Sequence, residues 1–454
     1  MRLGMSKKIL LINPWIYDFA AYDFWLKPLG LLSLAALLRC NDHQVHFIDC
    51  LDPYHPAMLA RTKKTHRRVY GDGKFFREII EKPANLHIIM RNYCRYGIAP
   101  DIFRDEVSRH LDADIVLVTS LMTYWYPGVI AAIKIIRELM PHVPVVLGGK
   151  YATLCYDHAV KYSGADYVVR GSGEKQIFRL LDELLGEKQL FEPDTDNLDA
   201  LPYPALDLVR KLEQVPVMTS RGCPFTCSYC ASHIFNDKFQ RRDPLKVADE
   251  IEYWQNNFGV KNFTFYDDAL LVNSAAMIMV LLHQIKRRDL SCNFHCPNGL
   301  HLREINEELA QLMFDSGFKT IRFGFETSDL ERQIETGGKV KNEELKRAVH
   351  FLQTAGFKPG DIGIYLLCGL PGQTAAEVRD SIEFVWECGA KPILAEYSPI
   401  PGTKMWDEAV ALSPFDIQNE PLYHNNSLLP CRNNDFSVPV YEQLKKMLQN
   451  NRLE

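Results

Sequence analysis

Hydrophobic positions along the chain alternate between two patterns, short continuous apolar runs and longer stretches in which apolar residues recur every three or four positions. The first pattern suits a strand buried on both faces, and the second an amphipathic helix. Lys8 to Pro14 is such a run and closes on Asn13-Pro14. Leu29 to Arg39 then reads as a helix and Gln44 to Asp49 as a second strand. Ala113 to Ser120, Pro144 to Gly149 and Gly164 to Gly171 continue the strand series, with Gly128 to Met140 as an amphipathic helix among them. Strands alternating with helices imply an α/β class, here a doubly wound, Rossmann-like sheet over residues 1–185, with ligand sites at the carboxyl ends of its strands.

Between the second and third strands lies an insertion, about residues 52–110, too long for an ordinary loop. It carries the basic run Arg61 to Arg68 and the aromatic stretch Tyr93 to Tyr96. Helices covering the space between domains are expected there. The basic run reads either as a solvated face or as a hold for an anionic substrate.

The polar connector Glu192 to Asn197 marks a domain boundary, and the strand-helix alternation resumes over residues 186–410. Strands are expected at Val215–Thr219, Asn262–Asp268, Cys292–Cys296, Thr320–Glu326, Asp361–Cys368 and Ile393–Tyr397. Six such units are too few to close an eight-stranded barrel. Residues 411–454 form a tail with a terminal helix, Val440 to Asn450.

Composition narrows the function classes. The net charge of −5 offers no basic field for a nucleic acid partner. No apolar run reaches the roughly 18–20 residues that span a bilayer, and the start MRLGMSKKILLINPW lacks a signal-type apolar core, so no transmembrane segment is expected. Twelve scattered cysteines do not resemble a secreted disulfide framework, which makes a reducing cytoplasm the expected location.

Three of those cysteines, Cys223, Cys227 and Cys230, fall within eight residues as Cys-x-x-x-Cys-x-x-Cys just after the run Val215 to Met218. Chance would give that pattern only ~0.01 times in a chain of this cysteine content, so the cluster asks for a chemical reason. Thiolates on a tight loop hold iron-sulfur clusters, and three of them leave one iron of a four-iron cluster open to a ligand. Zinc would want a fourth Cys or His, for which His233 is the near candidate; a disulfide would want an oxidising compartment.

The triplet resembles the signature of the radical S-adenosylmethionine (SAM) enzymes, with Tyr229 matching the aromatic common between the last two cysteines of that family. The resemblance implies that Cys223, Cys227 and Cys230 hold a 4Fe-4S cluster, that SAM binds the fourth iron, and that electron transfer splits SAM to methionine and a 5′-deoxyadenosyl radical. It also implies an open, partial (β/α)6 barrel of TIM type. Within it Glu326 at a strand end, Gly369 in Gly369-Leu370-Pro371-Gly372, and Pro399 in Ser398 to Thr403 look like the family's SAM-contacting stretches, joined by Tyr229. Asp267 and Asp268 read as a helix N-cap or a ligand contact. Cys292, Cys296 and Cys368 read as small buried apolar residues.

The first domain has no G-x-G-x-x-G after its first strand, which argues against a nicotinamide dinucleotide. It resembles instead the cobalamin-binding domains that precede the barrel in one radical SAM class, and on that resemblance Asn13, Ser120, Met122, Gly148, Gly149 and Gly171 would contact cobalamin. Plain strand-to-helix turns are the bland reading of the same residues. One departure stands out: residues 13–28 contain no histidine, so the lower-face histidine ligand of mutase-type domains is missing. The stretch carries instead Trp15, Tyr17, Phe19, Tyr22, Phe24 and Trp25, which read as core or as an apolar lining under the corrin.

The resemblance as a whole implies a cobalamin-dependent radical SAM enzyme, most plausibly a methyltransferase acting on an unactivated carbon. Its partners would be a small-molecule or peptide substrate and an external electron donor of flavodoxin or ferredoxin type. The alternatives are a cobalamin-dependent radical SAM rearrangement or cyclisation enzyme, a non-catalytic cobalamin and iron-sulfur binding protein, and a radical SAM enzyme whose first domain has lost cobalamin.

Overall fold

A computed structural model describes residues 6–186, 191 and 194–450. Glu192 and Pro193 of the connector, Met1 to Met5 of the amino-terminal stretch and Asn451 to Glu454 of the tail lie outside the described residues. The chain divides into two compact units, Met1–Leu212 with Asn419–Leu422, and Glu213–Gln418 with Tyr423–Glu454.

The first unit is built on β1 (Lys8–Asn13), α1 (Leu29–Cys40), β2 (Gln44–Asp49), β3 (Ile115–Val118), α2 (Tyr126–Leu139), β4 (Val145–Leu147), β5 (Tyr167–Val168) and α3 (Gly173–Leu185). The five strands form one parallel sheet in the order β5-β4-β3-β1-β2. Alternate residues of the strands feed two cores. Leu10, Ile12, Val116 and Val118 join one, and Ile9, Leu11, Ile115 and Leu117 the other. Burial on both faces is why these strands read as unbroken apolar runs. The strand order reverses at β1/β3, and in open α/β sheets that switch point is where ligands bind, beyond the carboxyl ends of the strands.

Two expectations are corrected here. The edge strand β5 keeps only Tyr167–Val168 of the expected Gly164–Gly171, as it pairs on one side alone. The unit also extends past residue 185. The Ala205 amide donates to the Leu32 carbonyl at 3.0 Å, Ala205 is buried in the second core, and Arg39 pairs with Asp207 at 2.8 Å.

The insertion contains the expected helices and, besides them, short strands. Helical turns occur at Pro56–Thr62, Ala84–Leu86 and Pro100–Ser108, but Ile16–Asp18, Cys94–Tyr96 and Arg77–Ile79 form an antiparallel sheet, and His66–Arg67 pairs with Gly73–Lys74. One of these pairings depends on a glycine. A Cβ at Gly73 would fall 2.1 Å from the His66 carbonyl oxygen, an approach only glycine permits. The basic run meets fixed acids: Arg67 pairs with buried Asp23 at 2.6 Å, Arg61 with Asp101, and Arg68 with Asp72 at 3.6 Å. Those partners make the run a structural tie and leave less of its charge for an anionic substrate.

The second unit comprises β6 (Gln214–Val217), α4 (Pro244–Phe258), β7 (Asn262–Phe265), α5 (Ile278–Arg287), β8 (Asn293–His301), α6 (Glu307–Asp315), β9 (Phe318–Glu326), α7 (Asn342–Thr354), β10 (Ile362–Cys368), α8 (Ala375–Glu387), β11 (Lys391–Glu396) and α9 (Val438–Asn450). Its six strands are parallel and paired in sequence order, with β6 and β11 at the two ends, which is the partial barrel. Helix starts follow ordinary capping chemistry. The Asp243 carboxylate accepts from the Leu245 amide with Pro244 at the first position, and Thr374 with Glu377 forms a capping box. The tail does not stand apart, since Ile417 and Cys431 share a core with Leu370, Tyr397 and Met405. Cys292, Cys296 and Cys368 are buried, and burial raises all three thiols.

Among the described residues no helix is long and apolar enough to cross a membrane.

Candidate active site

The cysteine loop leaves the carboxyl end of β6 and is closed at its base by Ser220–Arg221 pairing antiparallel with Gln240–Arg241. At the start of the loop Gly222 has φ +83°, and a Cβ there would lie 2.7 Å from the Lys238 carbonyl oxygen. Tight, left-handed backbone is what glycine supplies at no steric cost.

Asp267 and Asp268, just past β7, fasten the two ends of this loop. Asp267 is 4% exposed and its Oδ1 accepts from the Thr219 amide at 3.0 Å, the Thr219 hydroxyl at 2.7 Å and the Ser220 hydroxyl at 2.6 Å. Burial raises its pKa, and these donors oppose the rise. Asp268 Oδ2 accepts from the Ser232 hydroxyl at 2.6 Å. Neither carboxylate caps a helix; together they bracket Cys223, Cys227 and Cys230.

The loop is further pinned from two sides. The Ser228 amide donates to the Thr336 carbonyl at 3.3 Å, and the Met405 amide donates to the Ser228 carbonyl at 2.9 Å. Gly337, at φ +118°, lies so close that a Cβ would meet the Cys227 Cα at 3.0 Å. Phe225 stacks on His301 with ring centroids 4.7 Å apart. Burial, then Lys339 and Arg303, hold that imidazole down to about 3, so it is neutral beside the loop.

Cys227 is buried and Cys223 and Cys230 are partly so, and burial pushes the Cys223 thiol up to about 11. The three are electrostatic neighbours. Among the described residues no three His, Cys, Asp or Glu side chains converge on the position of one ion. Three thiols on one tight loop, each able to take a different iron, suit a cluster site.

Tyr229 brings the expected SAM residues together. Its hydroxyl donates to Glu326 Oε1 at 2.5 Å, and its ring packs against the core formed by Leu370, Tyr397 and Met405. Burial first, then the Glu326 carboxylate, hold this phenol well above its ordinary value. Glu326 ends β9 after a register shift and has φ +70°, a left-handed conformation unusual for a non-glycine residue. Gly369 follows β10 with φ +78°, and the turn beyond it is stapled by Gln373, whose carboxamide accepts from the Leu370 amide at 3.2 Å and donates to the Leu367 carbonyl at 3.1 Å. Pro399 is buried next to Ser398, whose hydroxyl donates to the His424 carbonyl at 2.5 Å. The hydroxyls of Ser228 and Tyr397 lie buried without a hydrogen-bond partner among the described residues. Buried polar groups are nearly always bonded, so this pair fits a polar ligand such as SAM.

Lys339 is the residue the sequence reading missed. Its ammonium lies 3.0 Å from Glu326 Oε1, the oxygen that also takes Tyr229. Burial works against its charged form, but the Glu326 carboxylate and the Cys227 thiol more than offset it and raise its pKa. Gly337-Gly338 just before it was the available signal, marking a close backbone approach.

In the first unit a small hollow, with about 60 Å³ of room, opens at the β1/β3 switch point, lined by Asn13, Trp15, Leu26, Ser120, Trp125 and neighbours. Of the expected cobalamin residues, Asn13 and Ser120 line it. Asn13 also donates to Asp49 Oδ1 at 2.7 Å. Ser120 donates to the Gly148 carbonyl at 2.7 Å, and the Thr153 hydroxyl donates to the Gly149 carbonyl at 2.9 Å and accepts from the Gly171 amide at 3.0 Å. The loops after β3, β4 and β5 are thereby tied together. Met122 is 41% exposed and is not part of the lining. Trp15 serves both readings of the aromatic stretch. It is 1% exposed against Phe103 and also walls the hollow. Phe19 and Trp25 belong to the buried core. The lining of this hollow is mostly apolar and includes no histidine.

Comparison with known proteins agrees with both halves. Residues 217–385 match the radical SAM superfamily and residues 90–181 match the B12 binding domain. An uncharacterized methyltransferase of Pyrococcus horikoshii is 29% identical over 69% of this chain and 74% of its own length. Cytidylyl-2-hydroxyethylphosphonate methyltransferase of Streptomyces wedmorensis is 23% identical over 92% of this chain and 84% of its own length. The radical SAM methyltransferase TsrM of Kitasatospora setae shares the fold, with a TM-score of 0.64 at 17% identity over 93% of this chain and 83% of that one. With a B12-binding match ahead of a radical SAM match, and a cysteine loop set at the strand ends of a partial barrel, this chain is similar to the cobalamin-binding radical SAM enzymes, methyltransferases among them.

Proposed function

We propose that the protein transfers a methyl group to an unactivated carbon, or a similarly poor nucleophile, of a small-molecule or peptide substrate. The observation that carries this reading is the Tyr229–Glu326 contact, which joins the cysteine loop to the barrel residues that SAM requires, in a chain whose first unit opens an apolar hollow at its switch point. The methyltransferases among its relatives support the choice of reaction. A 4Fe-4S cluster with SAM supplies hydrogen-abstracting radical chemistry, and cobalamin a transferable methyl group.

The chain's own residues have distinct parts in that scheme. Cys223, Cys227 and Cys230 hold the cluster, with Asp267 and Asp268 fixing the loop's ends. Tyr229, Glu326, Gly369 and Pro399 form the SAM side, where Glu326 accepts from amino or hydroxyl donors and the left-handed Gly369 lets backbone approach the ligand. Asn13, Ser120, Met122, Gly148, Gly149 and Gly171 lie along the carboxyl ends of β1, β3, β4 and β5 and hold cobalamin. The first unit, running to Leu212 and carrying the insertion at about 52–110, forms the cobalamin domain, and the second unit forms the radical SAM barrel with the tail packed on it. The side of the hollow walled by buried Trp15 and partly buried Trp125 excludes water from the corrin. An electron donor of flavodoxin or ferredoxin type in the cytoplasm serves the cluster.

A second reading, cyclisation, rests on the similarity to the anaerobic magnesium-protoporphyrin IX monomethyl ester cyclase of Synechocystis, 28% identical over 50% of each chain. The two separate on methyl-labelled SAM. Full-length protein reconstituted anaerobically with iron, sulfide and hydroxocobalamin, then given labelled SAM and dithionite, is expected to form 5′-deoxyadenosine and to carry label in its cobalamin. Cobalamin that stays unlabelled while SAM is cleaved would overturn methyl transfer.

A further inference from the structure

Lys339 sits in a socket floored by glycine. A Cβ at Gly324 would fall 2.6 Å from the Lys339 Nζ and 2.9 Å from Glu326 Oε1, so a side chain on that stretch of β9 would displace the pair. The socket is enclosed, with the Lys339 and Glu326 side chains 13% and 12% exposed. A buried charge is costly unless paired, and here one carboxylate oxygen takes both the ammonium and the Tyr229 hydroxyl. The same ammonium acts electrostatically on Cys227 and Cys223. Two other cations near the loop bind main-chain carbonyls and not Glu326: Arg303 donates to Gly338 at 2.9 Å, and the more exposed Lys404 to Thr226 at 3.4 Å. His301 adds no charge, being neutral where it stacks on Phe225.

We infer that Lys339 is the charge-balancing positioning residue of the cysteine loop: it orients the Glu326 carboxylate and sets the reduction potential of the cluster held by Cys223, Cys227 and Cys230. The inference rests on the reading that those cysteines hold a cluster. Three thiolates bring negative charge into an enclosed site, and one electron from the reductant adds one more. A fixed cation nearby favours the added electron, and a fixed anion opposes it. Lys339 and Glu326 therefore pull the potential in opposite directions although they share one hydrogen bond.

The test uses full-length protein reconstituted with iron and sulfide alone and titrated with dithionite under EPR, without SAM or cobalamin. Lys339→Met is expected to lower the reduced-to-oxidised ratio at the wild-type midpoint about tenfold, or ~59 mV for one electron. Glu326→Gln is expected to raise it, and Lys339→Arg to leave it near the wild-type value. Opposite shifts are what a purely structural role would not produce. Equal potentials in wild type and Lys339→Met overturn the inference. If Lys339→Met fails to fold, an unshifted Glu326→Gln overturns it equally. A wild-type protein that assembles no cluster refutes the underlying cluster reading instead.

Discussion

Asp267 takes both the backbone amide and the hydroxyl of Thr219, at 3.0 and 2.7 Å, so one buried carboxylate fixes where the cysteine loop begins. Removing it leaves three buried donors unsatisfied, each costing on the order of 1–3 kcal/mol. Asp267→Ala is expected to lower the thermal midpoint and to cut iron retained after anaerobic reconstitution by more than half. Asp267→Asn, which keeps an acceptor in place, should fall between. Iron content equal to wild type in the alanine variant would show that the loop is held without this carboxylate.

Gly148 and Gly149 are adjacent but should respond differently to a methyl group. Gly149 has φ +94°, and a Cβ there would lie 2.2 Å from the Ser120 carbonyl oxygen and 2.7 Å from its amide. Both contacts are backbone and cannot swing away, so Gly149→Ala is expected to cost about 3 kcal/mol or more. A Cβ at Gly148 meets nothing within 4 Å. Gly148→Ala should keep the wild-type melting temperature yet take up less hydroxocobalamin, read by corrin absorption. Unchanged uptake would remove Gly148 from the cobalamin contacts.

Acid should weaken the first unit through His158. Its Nδ1 shares a hydrogen bond with the Tyr151 hydroxyl at 2.7 Å, and burial first, then Lys161, hold it down to about 4. The unfolded chain takes up the proton near pH 6.5. The folded chain does so only near 4, so stability is full above pH 6.5 and is lost as the pH falls between these values. The side chain is only half-buried, and after allowing for solvent screening the effect by pH 5 is about 1 kcal/mol. His158→Gln is expected to narrow the difference between midpoints at pH 7.5 and 5.0, and an identical difference in both proteins would contradict this account.

What could be read in the sequence follows from the range of the forces involved. The strand Lys8–Asn13 was legible almost to the residue because burial in a sheet leaves a local apolar signature. The strands of the insertion were not, because their setting depends on long-range contacts such as Arg67 with Asp23, 44 residues apart. The cysteine spacing and Glu326 at a strand end were visible for the same local reason. The carboxylate that anchors the loop and the ammonium on Glu326 come from other strands' connections, 48 residues in one case and 13 in the other. Asp267 was visible as a residue but its partner was not, and Lys339 looked like any surface lysine.

Gly337 and Gly338 show how a glycine pair in the sequence divides into two different constraints. Gly337, at φ +118°, backs directly onto the loop, where a Cβ would meet the Cys227 Cα at 3.0 Å. Gly338, at φ +62°, has nothing within 4 Å of its Cβ position, so a side chain there meets only backbone strain, on the order of 1–2 kcal/mol. The Cys227 backbone is also tied through its neighbour, since the Ser228 amide donates to the Thr336 carbonyl at 3.3 Å, so it cannot retreat without losing that bond. Gly337→Ala should therefore displace Cys227 and lose most reconstituted iron, while Gly338→Ala loses stability but binds iron as the wild type does. Both variants holding wild-type iron would mean that the loop accommodates the methyl group and that Gly337 does not fix the position of Cys227.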